Sequence, residues 1–172
     1  MKKNQGFINI GTSHDTSEFA CDSLRNWWLK SGKKNYPNAK YIQIFTDGGG
    51  SNSSRSYLFK KELQKLANNI DIEIRISHYP PYCSKFNPIE HRMFPFVTKA
   101  CQGVPFTSLD LVKELMEKTK TKKGLNVTVD IIDKVYETGK KISEDFKKNM
   151  KTIFDETLSK WNYKVIPEVK KC

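Results

Sequence analysis

No stretch of 18 apolar residues occurs anywhere in the 172 residues, so no membrane-spanning helix is expected. The start, Met1-Lys2-Lys3-Asn4-Gln5-Gly6, has two lysines but no apolar segment behind them, so no secretory signal is expected either. Cysteine is sparse. Cys21, Cys83, Cys101 and Cys172 stand far apart with no Cys-x-x-Cys pair, which argues against a disulfide scaffold or a zinc ribbon and suits a reducing compartment. Internal repeats and low-complexity segments are missing as well. Acidic residues are the minority charge, 19 against 30 Lys and Arg, leaving a net charge of +11. That balance favours a polyanionic partner, nucleic acid being the commonest, although lysine-rich surfaces also serve solubility alone.

What the chain does have is apolar content for a core: 37% hydrophobic residues, with 3 Trp, 7 Tyr and 10 Phe. Gly6 to Gly11 alternates apolar and polar residues and reads as a short strand. Asp15, with Glu18 three residues on, predicts a helix N-cap and a helix through Phe19, Leu24, Trp27 and Trp28, ended by Ser31-Gly32. A basic loop from Lys33 to Lys40 follows. Tyr41 to Thr46 reads as a second strand, halted by Asp47-Gly48-Gly49-Gly50. A helix is expected from about Arg55 to Ala67, closed by Asn68-Asn69. Ile70, Ile72, Ile74 and Ile76 alternate with polar residues, predicting a strand near a sheet edge. Alternating strands and helices imply βαβ units and a largely parallel sheet.

Asn87-Pro88 has the form of an N-cap followed by the first helical residue, and Pro95 should kink or end the helix that begins there. A further helix fits Ser108 to Thr119. Beyond the basic run Lys118 to Lys123, Leu125, Val127 and Val129 alternate as a strand would. Ser143 to about Leu158 reads as a polar helix, with an aromatic patch at Trp161-Asn162-Tyr163.

Two carboxylates stand where chemistry is plausible. Asp47 ends a strand and precedes three glycines, and open α/β sheets bind ligands outside the carboxyl ends of their strands. An ordinary Asp-Gly turn explains it equally well when it is taken alone. The segment Gly48-Gly49-Gly50-Ser51-Asn52 lacks the Gly-Lys-Ser/Thr ending of a P-loop. Glu90 falls in the first turn of the helix that Asn87 caps, where a carboxylate stays ionised, as a hard cation's ligand must; Glu is also simply favoured there. In a parallel sheet the two could converge on one edge, and carboxylates so placed can hold Mg²⁺ or Mn²⁺ for phosphodiester chemistry. His78, Cys83 and His91 could be drawn as a zinc trio, but their spacing fits no standard site. Cys83 has no histidine placed to activate it as a nucleophile. Trp27-Trp28 suits a core better than a base-stacking platform. Lys33, Lys34, Lys85, Arg92, Lys120, Lys122 and Lys123 are candidate phosphate contacts, with solvated loops as the alternative.

Thr46-Asp47-Gly48-Gly49-Gly50-Ser51-Asn52, Glu62-Leu63-Gln64-Lys65-Leu66-Ala67, His78-Tyr79-Pro80-Pro81 and Ser84-Lys85-Phe86-Asn87-Pro88-Ile89-Glu90-His91-Arg92-Met93-Phe94 resemble the Rhodopirellula-type DDE transposases of bacterial insertion sequences. The Gly6 to Thr16 segment and Trp161-Asn162-Tyr163 are similar to that family too, so the likeness runs through nearly the whole chain. The resemblance implies an RNase H-like α/β fold, here partial and lacking its first strands, with a mixed or parallel sheet and flanking helices. It implies a core over 1–104 and a C-terminal helical and hairpin extension over 105–172.

The resemblance also implies a three-carboxylate site holding two Mg²⁺ or Mn²⁺ ions, with Asp47 as the second carboxylate and Glu90 as the third. The first carboxylate belongs to a strand that precedes the Gly6 segment in the family. The chain is therefore expected to be the C-terminal part of a transposase whose parent activity is DNA strand cleavage and transfer, inactive alone. Asp15 is a weak substitute, since capping explains it. The expected partners are transposon ends and target DNA, in the cytoplasm at the nucleoid. A non-catalytic basic DNA-binding remnant, or half of a split transposase completed by an upstream reading frame, remain alternatives. Loss of sheet neighbours at the Gly6 strand would favour poor solubility or self-association.

Overall fold

The computed structural model describes residues 4–168, apart from the side chain of Ser84, so Cys172 and the first three residues of the amino-terminal reading lie outside the described residues. The elements, in order, are β1 (Gln5–Gly11), α1 (Ser17–Trp27), a π-helical turn (Trp28–Gly32), α2 (Lys33–Asn35), β2 (Tyr41–Asp47), α3 (Tyr57–Ile70) and β3 (Glu73–Tyr79). Then come α4 (Ile89–Arg92), α5 (Phe94–Cys101), α6 (Leu109–Glu117), β4 (Asn126–Ile132), α7 (Glu144–Asn149), β5 (Ile153–Phe154) and β6 (Asn162–Val165). The fold is mixed α/β with flanking helices. No described helix is long and apolar enough to cross a membrane.

The chain forms two compact units. Unit 1 takes the chain up to Ser13 together with Lys85–Lys134; unit 2 takes His14–Ser84 and the chain from Val135. In unit 1, β1 lies parallel to β4 from Gln5 opposite Asn126 to Gly11 opposite Ile132. The Gly6 strand therefore has a neighbour, contrary to the expectation that its backbone is left without one, and it does not share a sheet with β2. The alternation of Leu125, Val127 and Val129 places all three on one buried face, against Met93 and Val97, with Ile8 and Ile10 packed beside them.

In unit 2 the sheet order is β2-β3-β6-β5. β2 and β3 run parallel, from Tyr41 opposite Glu73 to Asp47 opposite Tyr79, and β6 pairs antiparallel with both β3 and β5. The expectation of an edge position for the Ile74 strand is corrected: β3 is internal. Its alternating polar residues mark a partly wet sheet face, where Glu73 pairs with Arg75 at 2.5 Å and with Lys164 of β6 at 3.8 Å. The opposite face carries Ile74 and Ile76, which pack with Phe59, Leu63, Leu66 and Ala67 of α3, Cys21 of α1, and Tyr163 and Val165 of β6. Burial, and secondarily Glu62, push the Cys21 thiol pKa well up, so this cysteine is an inert packing residue.

Local chemistry explains most element boundaries. The cap of α1 is Thr16, whose side chain accepts from the Phe19 amide at 3.1 Å, so the expected Asp15 cap is off by one residue. The helix also does not stop at Ser31-Gly32. It continues through the π turn into α2, where a Cβ on Gly32 would meet Trp28 Cε3 at 2.4 Å, so the ring of Trp28 occupies the space that glycine leaves. Ser56 caps α3, which ends three residues later than expected, at Ile70, with Asp71 as the C-cap in the left-handed region with φ of 56°. Pro95 does break its helix: α4 stops at Arg92, and α5 starts at Phe94 with the proline in its first turn. A helix does start at Ser143, which caps it, but α7 is only six residues long. The long polar helix expected there is corrected, because Ile153–Phe154 leaves to pair with β6.

Candidate functional site

Asp47 closes β2 at the carboxyl end of the parallel pair, with its side chain exposed. Register sets it opposite Tyr79. Its backbone carbonyl accepts from His78 Nδ1 at 3.4 Å, while His78 Nε2 lies 3.0 Å from the Tyr163 hydroxyl. A carbonyl can only accept, so Nδ1 carries the proton and Nε2 accepts from Tyr163. Burial holds the His78 pKa below its ordinary value, consistent with this neutral form, and burial raises the Tyr163 pKa. With both ring nitrogens used in this way, His78 is a structural support under the end of β2. Buried Lys60 completes the cluster: its ammonium donates to the Ser54 carbonyl and sits 5.1 Å from the Tyr163 ring centre. Burial lowers its pKa.

The glycines after Asp47 form an open loop. A Cβ on Gly49 would meet nothing within 4 Å, and Gly50 has φ of 59°, which a residue with a side chain rarely adopts. The loop is tied to the start of α1. Ser51 Oγ donates to Asp15 Oδ1 at 3.0 Å, and Ser17 Oγ donates to the Ser51 carbonyl at 2.7 Å. Asp15 therefore anchors the glycine loop, a role that sequence reasoning did not foresee.

Glu90 lies in unit 1, exposed in the first turn of α4. Asn87 helps start this turn: its Oδ1 accepts from the Ile89 amide at 3.3 Å, and its carbonyl accepts from the Glu90 amide at 3.1 Å. His91 Nε2 lies 2.5 Å from the Lys85 carbonyl oxygen, so it too is engaged locally. Among the described residues no three His, Cys, Asp or Glu side chains are grouped to hold a metal ion, and the zinc trio is not formed. Asp47 and Glu90 each offer the hard oxygen donors that Mg²⁺ and Mn²⁺ prefer, but the described residues do not complete a ligand set.

The candidate phosphate contacts separate by unit. Lys33 and Lys34 lie in α2 of unit 2. Arg92, Lys120, Lys122 and Lys123 line one cleft within unit 1. The same cleft is lined by Lys118 and by Lys99. Lys99 went unforeseen because α5 brings it there from a distant part of the sequence. Lys85 is not among the residues that line this cleft; its ammonium lies 5.2 Å from the Phe86 ring centre.

These features define a basic, mixed α/β protein with an exposed carboxylate at a strand end. The chain belongs to the Rhodopirellula transposase DDE domain family, whose family model matches residues 1–167. Membership makes it a transposase-family chain and implies DNA as substrate. Searches of the curated proteins and of the solved structures returned no match.

Proposed function

We propose that the chain takes part in metal-dependent cleavage and transfer of DNA strands during transposition, on an RNase H-like scaffold. The observation that carries this reading is the placement of Asp47: exposed, at the carboxyl end of a parallel strand, and followed by an open glycine loop. Family membership over residues 1–167 supplies the chemistry expected at such a carboxylate. In this reading Asp47 and Glu90 are ligands of Mg²⁺ or Mn²⁺. When bound, such ions activate an attacking oxygen and stabilise the leaving one. The protein's own contribution is to present each carboxylate from a braced stretch of backbone. The His78–Tyr163–Lys60 cluster fixes the end of β2, and Asn87 fixes the first turn of α4.

Among the described residues no three His, Cys, Asp or Glu side chains are grouped to hold a metal ion, so the purified chain is expected to show no Mg²⁺-dependent nicking of supercoiled plasmid. Nicking that disappears in Asp47→Asn would contradict the inactivity while supporting the assignment of Asp47. Binding of Mn²⁺ itself, compared between the chain and its Asp47→Asn and Glu90→Gln variants, tests the reading without requiring turnover.

A further inference from the structure

We propose that the cleft in unit 1 is a binding site for a nucleic-acid phosphodiester backbone. The proposal rests on the transposase reading for the identity of the polyanion and deepens it by naming where the backbone is held. The cleft has a volume of about 1000 Å³ and opens to solvent. Arg92 of α4, Lys99 of α5 and Lys118, Lys120, Lys122 and Lys123 of the segment after α6 line it, and none of its lining residues is an Asp or Glu. Elsewhere the chain neutralises many of its lysines: Lys65, Lys140, Lys147 and Lys151 all pair with carboxylates at 2.9 Å or less. Within the cleft, Lys118 has such a partner, Glu114 at 2.7 Å, and both side chains are exposed, which leaves the pair weak.

The backbone that carries these lysines is held in place. Thr121 accepts from the Leu125 amide through Oγ1 at 3.1 Å and from the Gly124 amide through its carbonyl at 2.9 Å. Asn4 Nδ2 donates to the Lys123 carbonyl at 3.0 Å, the Asn4 carbonyl accepts from the Asn126 amide at 3.1 Å, and Lys120 bridges to Asn126. A solvated basic loop has no need of this bracing. A phosphate site gains from it, because less motion is lost on binding.

An independent feature points the same way. Thr119 lines the cleft and is 1% exposed, yet its Oγ1 has no hydrogen-bond partner among the described residues. A buried hydroxyl without a partner is costly to a folded protein, and a phosphate oxygen would satisfy it.

The test is fluorescence anisotropy of a labelled 20-base-pair duplex of arbitrary sequence with the whole chain, without divalent ions, from 50 to 200 mM KCl. Six phosphate contacts give a salt slope of about −5.4, a loss of affinity of roughly a thousandfold over that range. In K120A/K122A/K123A the slope should fall by about 2.7, so the loss shrinks to roughly fortyfold. The charge-matched control K40A/K141A/K148A, whose residues are exposed in unit 2, should keep the original slope. Thr119→Val should bind several-fold more weakly while melting no earlier than the parent, because the substitution removes an unpartnered hydroxyl and nearly keeps its shape.

No binding at 50 mM KCl, or equal slope changes in the two triple variants, would overturn the proposal. Unchanged affinity in Thr119→Val would overturn the role of its hydroxyl. Mn²⁺ binding at Asp47 and Glu90 is read without DNA, so failure of the cleft and failure of the transposase reading are told apart.

Discussion

Phe59→Ala is expected to lower the stability of unit 2 by about 3–5 kcal/mol, the usual cost of emptying a buried aromatic position. Phe59 is 2% exposed and belongs to the single core cluster that joins α1, α3, β3 and β6. Its ring also meets His78 edge-on, with centroids 6.5 Å apart, so the loss reaches the support beneath Asp47. Neighbours cannot refill the space cheaply. Leu63 and Ala67 are fully buried on the same helix, and Ile74 and Ile76 are fixed by the pairing of β3 with strands on both sides. A typical domain is stable by about 5–15 kcal/mol, so such a loss consumes a large share. Trp27, Trp28 and Trp161 all lie in unit 2, so denaturation followed by tryptophan fluorescence reports on this unit directly. A shift below about 1 kcal/mol would mean that the α3 core is not packed as described.

The second large effect is expected in unit 1. Val127→Asp should abolish the pairing of β1 with β4. Val127 is 3% exposed, faces Gly6 across the parallel pair and touches the space that a Gly6 Cβ would fill, 3.2 Å from Val127 Cγ2. Burying an unpaired carboxylate there costs several kcal/mol or forces it to stay protonated, and a small two-stranded unit has little stability in reserve. Thr128→Asp is the control. It adds the same charge one residue along, on the exposed face, and is expected to change stability by no more than about 0.5 kcal/mol. Amide resonances of β1 and β4 in two-dimensional NMR spectra separate the two. Retention of the dispersed β4 signals in Val127→Asp would contradict the assigned strand face.

The elements most legible in the sequence were those with a strong local signal. Strand period located β1 and β2 to within about a residue and the start of β4, which runs on to Ile132. The helices read from Ser108 and Ser143 do begin at those residues, which cap them. Errors arose where a distant partner decided the outcome. Thr16 outcompetes Asp15 as a cap while Asp15 is held by Ser51, 36 positions away. The alternation in β3 looked like an edge strand because its polar face is balanced by Lys164 from β6, which no local window contains. Ile153–Phe154 fits a helix by spacing, yet pairs with Lys164 and Tyr163.

The candidate site divides in the same way. Asp47 was legible because a strand end followed by glycines is a local pattern. The support from His78 and Tyr163 was not, since their contact spans 85 positions. The basic cleft was legible only in part: its loop is a visible run of lysines, whereas Lys99 and the unpartnered hydroxyl of Thr119 become meaningful only once folding sets them side by side.

The most direct test of the central claim is Mn²⁺ binding to the whole chain, followed by the paramagnetic resonance signal of free Mn²⁺, in the parent, Asp47→Asn, Glu90→Gln and the double variant. If each carboxylate is a ligand of Mn²⁺, each single substitution weakens binding roughly tenfold or more, and the double variant binds no more tightly than either single one. Binding that is unchanged in either single variant, or absent from the parent at millimolar Mn²⁺, would contradict the proposal that Asp47 and Glu90 are metal ligands.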